Sequence, residues 1–197
     1  MLGQKGLSLI ELIITIMIAG ILLSMAVPNF REFIQNMIIE TETNRLIKDI
    51  QMARDEAMKR GRSVIICRSE NPENVPRTSN YVSPSPDDLT CGGGTAADWS
   101  SGWFIFISFD NDTDFDTSDK LFSVSQAPSS DEIEIFANGA GAEFLQFNPD
   151  ATTNADGNIV RFSVCDDRGA ADGELIEVPP VGRPRLANAV SDCSNGS

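Results

Sequence analysis

Apolar positions are distributed unevenly along this chain. From Leu7 to Val27 they form an almost unbroken run, closed by Pro28, in which Glu11 is the one ionisable residue. About 20 consecutive apolar residues in a helix suffice to cross a bilayer core, so the run predicts a membrane-spanning helix. Lys5 stands just before it. By the positive-inside bias, Lys5 keeps the N-terminus cytoplasmic and places the rest of the chain on the far side. A secretory signal peptide or an uncleaved signal anchor has the same outline, and Ser24-Met25-Ala26 is an acceptable small-x-small site. Glu11 argues the other way. A carboxylate inside an apolar helix costs about 2.5–3.5 kcal/mol on insertion scales, so such a group generally has a role and a partner.

Beyond Pro28 the period lengthens to three and four. Phe30, Ile34, Met37 or Ile38, and then Leu46, Ile50, Ala53 and Ala57 share one stripe, and charges such as Glu40, Lys48, Arg54 and Lys59 take the other positions. This predicts an amphipathic helix from Asn29 to Arg60, continuous with the first apart from a kink at Pro28. Gly61 supplies a stop, with Lys59 and Arg60 suited to the negative helix end. The stripe is expected to pack on the chain's own sheet.

The pattern then changes to short β-branched and aromatic runs: Arg62 to Cys67, Asp98 to Ile107, Lys120 to Ser125, Glu132 to Ala137, Glu143 to Asn148, Asn158 to Cys165, Glu174 to Val178 and Arg185 to Ala187. A Pro-, Ser- and Gly-rich stretch from Asn71 to Asp98 reads as a loop, and Asp156-Gly157 as a hairpin-like signal. A helix followed only by strands means α+β, one long helix laid on an antiparallel sheet. The expected organisation is a leader at 1–6, a transmembrane and assembly helix at 7–28, an amphipathic helix at 29–61 and a β-rich head at 62–197.

Composition narrows the chemistry. The formal net charge is −14, which argues against a generally nucleic-acid-binding surface. There is no histidine, which removes His-based triads, His bases and His metal ligands. No nucleophile motif such as G-x-S-x-G is present, so a non-enzymatic chain without cofactor is expected. Cys67, Cys91, Cys165 and Cys193 show no C-x-x-C spacing, which disfavours zinc. An even count beyond a membrane helix suggests disulfides in an oxidising compartment. Three connectivities are open. Cys67–Cys91, which would tie down the long loop, and Cys165–Cys193, which would tie the tail to a strand, are preferred, with free buried thiols as the alternative. Asp110, Asp112, Asp114, Asp116 and Asp119 offer hard oxygen ligands. An EF-hand is excluded because its glycine and its final glutamate positions hold Phe115 and Leu121. Calcium is a weak candidate there beside a plain solvated turn.

Gly6-Leu7-Ser8-Leu9-Ile10-Glu11 resembles the processing signal of type IV pilins and pseudopilins. The resemblance implies that a prepilin peptidase cuts between Gly6 and Leu7, that the new amine is methylated, and that the apolar run is retained. It also implies that Glu11 pairs with the N-terminal amine of a neighbouring subunit, as a buried charge in lipid requires. Pro28 matches a proline common at that distance, whereas Leu7 stands where the family usually has Phe. Further along, Trp99-Ser100-Ser101-Gly102-Trp103, Leu145-Gln146-Phe147-Asn148-Pro149, the strand ending at Cys165 and Gly182-Arg183-Pro184-Arg185 resemble the GspH/FimT branch of minor pilins. That resemblance implies a pilin-like fold, other pilin subunits and the inner membrane as partners, and a place in a type IV pilus or a type II secretion pseudopilus. In members that serve natural transformation the Gly-Arg-x-Arg segment is implicated in binding DNA, which makes Arg183 and Arg185 candidate phosphate contacts. The competing expectation for these arginines is an internal salt bridge.

Overall fold

The computed structural model describes residues 8–69, 89–92, 97–110, 112–139, 143–155, 157–187, 190 and 192–193. One helix, α1, runs from Leu9 to Arg60 with Pro28 inside it. Contacts divide the chain into two units, one ending at Met37 and the other starting at Ile38. Gly61 closes the helix in the left-handed region, φ +62°, and its N–H donates to Ala57 O at 2.9 Å. Glycine reaches this cap conformation without the strain a Cβ would add.

In the first unit the apolar face has no cover. Phe30 is 66% and Met37 48% exposed, and Ile34 is partly open as well. A helical period decides which residues share a face; it does not decide what covers them. Burial begins at Ile39 and is complete at Leu46, Ile50, Ala53 and Ala57 in the second unit.

Eight strands follow: β1 Val64–Arg68, β2 Gly102–Ile107, β3 Lys120–Gln126, β4 Glu134–Ala137, β5 Phe144–Phe147, β6 Val160–Cys165, β7 Glu174–Val178 and β8 Arg185–Ala187. They build two antiparallel four-stranded sheets rather than one, in the orders β3-β2-β1-β5 and β4-β6-β7-β8. The α+β class is as expected. Asp156 of the hairpin-like signal lies outside the described residues; of the strands around it, β5 pairs with β1 while β6 pairs with β4 and β7.

The buried stripe of α1 meets inward residues of both sheets in one core: Ile66, Ile105 and Leu145 from the first, Ile135, Phe162 and Ile176 from the second. A smaller cluster of Ile65, Phe104, Phe106, Leu89 and Phe115 covers the other face of the first sheet. Strands β1 and β2 are thus buried on both faces, which explains their continuous apolar runs in place of alternation. The Trp99-to-Trp103 segment joins the sheets. Trp99 N–H donates to Ile135 O at 2.7 Å, Ile135 N–H donates to Ser100 Oγ at 2.9 Å, and the Trp99 ring meets Phe162 edge-on at 5.1 Å.

Candidate functional site

The N-terminal helix opens at Ser8, whose carbonyl accepts the N–H groups of Glu11 and Leu12 at 3.1 and 3.2 Å. Leu9, Ile10, Leu12 and Ile13 around it are all exposed. The two hydroxyls further along are satisfied inside the helix: Thr15 Oγ1 donates to Leu12 O and Ser24 Oγ to Ile21 O, at 2.8 and 2.7 Å. Such back-bonding lets small polar residues sit in an apolar helix. Glu11 is different. It is a carboxylate in the first turn of this helix with no polar side-chain partner among the described residues. Gly6 and Leu7, the expected cut, lie outside the described residues. α1 is long and apolar enough to cross a membrane by length and composition.

All four cysteines are bonded, Cys67 to Cys91 and Cys165 to Cys193, with Cα atoms 5.5 and 6.0 Å apart. The first bond holds the residues around Cys91 beside β1, where Ser69 and Cys91 also bridge. The second brings Cys193 to the end of β6, in a small cluster with Leu175 and Val190. Most of the Asn71–Asp98 stretch lies outside the described residues.

The acidic turn between β2 and β3 is largely hydrogen-bonded to itself. Asp110 accepts from Ser108 Oγ, from Asp112 N–H and from Ser118 Oγ, at 3.2, 3.3 and 3.0 Å. These bonds, the Asp112 N–H foremost, hold its carboxyl below the usual aspartate range. Asp119 accepts from the N–H groups of Phe109 and Asp116, yet burial pushes its carboxyl upward. The carboxylates that come within 4.8 Å of one another are Asp110, Asp112 and Asp116. Asp114 is not among them, and the Phe115 side chain beside it belongs to the smaller core. The turn is a self-capped acidic loop, with its carboxylates mostly at the surface.

The C-terminal arginines have separate surroundings. Arg185 sits opposite Glu177 in the β7–β8 register and pairs with it, Nη2 to Oε2 at 2.9 Å. Arg161 on β6 takes the other oxygen of Glu177 at 3.0 Å. Ile176 and Val178 face the core, so this Arg161–Glu177–Arg185 bridge lies on the outer face of the sheet. The Arg161 hydrogen bond, then that of Arg185, holds Glu177 below the usual glutamate range. Arg183 is exposed and, with Pro184, lines a groove of about 310 Å³ against Gln51, Arg54 and Asp55 of α1. Neither Arg161 nor Arg54 stood out in the sequence, since both read as ordinary charges on an amphipathic element.

Residues 1–27 match the prokaryotic N-terminal methylation motif. Over 89 residues the chain is 33% identical to the type IV major alpha-pilin of Moraxella bovis, a match spanning 43% of this chain and 54% of that protein. The chain thus spans about half the length of this curated relative. Its fold is similar to that of the type IV minor pilin FimU of Pseudomonas aeruginosa, seen in two crystal forms. The first gives a TM-score of 0.57 at 16% identity, over 82% of this chain and 98% of that one. The second gives 0.53 at 16% identity, over 78% and 98%. Residues 42–181 match the family described as type II transport protein GspH, and the chain therefore belongs to this GspH family of minor pilins and pseudopilins.

Proposed function

We propose that the chain is a structural minor subunit of a type IV pilus, placed near the tip and promoting fibre assembly. The observation that carries this reading is Glu11, a carboxylate with no polar side-chain partner among the described residues, on an exposed apolar helix that ends in a folded head. An isolated subunit leaves that charge unmatched in the bilayer; pairing with the freed amine of a neighbour removes the penalty. On this reading the prepilin peptidase cuts between Gly6 and Leu7. The helix anchors the subunit in the inner membrane with its head on the periplasmic side until assembly. The exposed face of Phe30, Ile34 and Met37 is then covered by adjacent helices in the fibre.

Two measurements test it. Mass spectrometry of the native protein is expected to find a methylated N-terminus at Leu7; an N-terminus following Ala26 overturns the proposal. Glu11→Ala is expected to insert in the membrane at least as well as the parent and to lose incorporation into the fibre, and normal incorporation removes the role given to Glu11. A second reading, a pseudopilin of a type II secretion machine, is supported by the description of the matched family. Neighbouring genes for secretion components would favour it, and neighbouring minor-pilin genes the first. A tip receptor for DNA is the remaining alternative; against it stands the pairing of Arg185 with Glu177.

A further inference from the structure

We propose that the groove between α1 and the segment before β8 is a carboxylate-binding site, formed by Arg54 and Arg183, that receives an Asp or Glu side chain of a neighbouring subunit. The groove is lined by Gln51, Arg54 and Asp55 from α1 and by Arg183 and Pro184. A Cβ placed on Gly182 would lie 3.3 Å from Arg54 Cδ, so the stem of Arg54 passes directly beneath the backbone that presents Arg183. Arg54 Nε is buried and has no hydrogen-bond partner among the described residues. A buried guanidinium N–H without an acceptor is unfavourable, and a carboxylate that draws the Arg54 head group outward into the groove relieves it with a charge-assisted bond. Among the described residues neither arginine has an ion pair within the chain.

Charge and size choose the ligand. Two cations and Asp55 leave the groove one positive charge in excess, which suits a single carboxylate. A nucleic-acid strand instead presents a line of phosphates, and it approaches a chain of net charge −14. A groove of about 310 Å³ has room for a carboxylate side chain. The remaining arginine of the segment, Arg185, is paired with Glu177 on the outer face, apart from the groove. Gln51 adds an amide donor beside the two guanidinium groups. Naming a subunit as the donor rests on the assembly reading, but the chemistry of the groove does not.

The test titrates the full chain in detergent micelles with acetyl-Gly-Glu-Gly-amide and follows the arginine Nε–H NMR signals. The signals of Arg54 and Arg183 are expected to shift saturably, that of Arg185 to stay, and acetyl-Gly-Gln-Gly-amide to leave all three unmoved. Arg183→Gln, at an exposed position, is expected to keep the fold and weaken binding about tenfold, the loss of one charge-assisted contact. Arg54→Gln removes the buried donor; should it unfold, Arg183→Gln decides alone. No shift, or an equal shift with the glutamine peptide, overturns the proposal. So does a short DNA duplex that moves Arg183 and Arg185 together at lower concentration than the peptide, which would assign the groove to nucleic acid. Because this titration involves no fibre, its failure is distinct from failure of the Glu11→Ala test.

Discussion

The indole N–H of Trp103 on β2 donates to the carboxylate of Asp49 on α1 at 2.9 Å, and both side chains are buried. Ser125 Oγ donates to the same oxygen, and Arg45 lies over the Trp103 ring at 4.7 Å. Helix and sheet are thereby fixed in register by a polar contact inside an apolar interface. Asp49→Leu would leave the indole N–H without an acceptor, an expected loss of about 1–3 kcal/mol. Asp49→Asn keeps a carbonyl acceptor and should lose less. Thermal unfolding of the full chain in detergent, followed by tryptophan fluorescence, checks the order; equal midpoints for parent and Asp49→Leu would refute it.

Gly182→Ala should be among the most damaging single substitutions in the head. The residue has φ +71°, and a Cβ there would lie 2.4 Å from Ala151 O and 3.1 Å from a ring carbon of Phe147. The left-handed conformation costs an alanine about 1–2 kcal/mol, and overpacking against backbone adds about 1–3 kcal/mol. Denaturant unfolding is expected to show a loss of about 2–5 kcal/mol from these two contributions. Gly157→Ala has φ +86° but meets nothing within 4 Å, so it should show only the smaller, conformational part.

Removing a disulfide should weaken the head without altering the α1 core. The bonded pairs are separated by 24 and 28 residues. In the chain-entropy model each closure is worth about 3–4 kcal/mol. The double substitution Cys165→Ser with Cys193→Ser is expected to lower stability by that amount and to raise hydrogen exchange first in β8. Uniform exchange across all strands would contradict the local role.

Glu177 should give the head an acid-sensitive component. Its carboxyl is lowered in the folded state by Arg161 and then Arg185. A lowered carboxyl contributes stability that is present above the ordinary glutamate range and is lost as pH falls through the lowered value. Both arginines are substantially exposed, so the contribution is no more than about 1 kcal/mol after screening. The difference in melting temperature between the parent and Glu177→Gln is expected to be steady at neutral pH and to shrink below about pH 5. A difference that grows on acidification would show the sign to be wrong.

The elements were legible because each carries its own periodicity. The apolar run with Glu11, the three-and-four spacing through Leu46 and Ala57, and the short strands all have local signatures, and the strands fall within a few residues of where their patterns place them. Sheet membership was not legible. β5 joins β1 across almost 80 residues, and β6 pairs with β4 and β7 rather than with the strand before it. The fate of Phe30, Ile34 and Met37 was hidden for a different reason, since amphipathicity records a face and not its partner. At the C-terminus the alternation of Arg183 and Arg185 suggested one basic spot. An internal salt bridge was the other expectation for these arginines, and Arg185 makes one with Glu177; nothing in the sequence singled out Arg161 as its second arginine or Arg54 as the neighbour of Arg183.

The bond from Cys193 to Cys165 also determines how the head takes a pull. β8 is the edge of its sheet and β6 is flanked on both sides, by β4 and β7. Tension arriving along the chain beyond Cys193 enters the sheet at the end of β6. It does not peel β8 away one ladder bond after another. Unzipping from an edge loads hydrogen bonds singly, whereas drawing out an inner strand loads two ladders together. The tail is thus fastened to an interior strand, and a head pulled from Cys193 yields by breaking covalent or cooperative structure rather than by fraying.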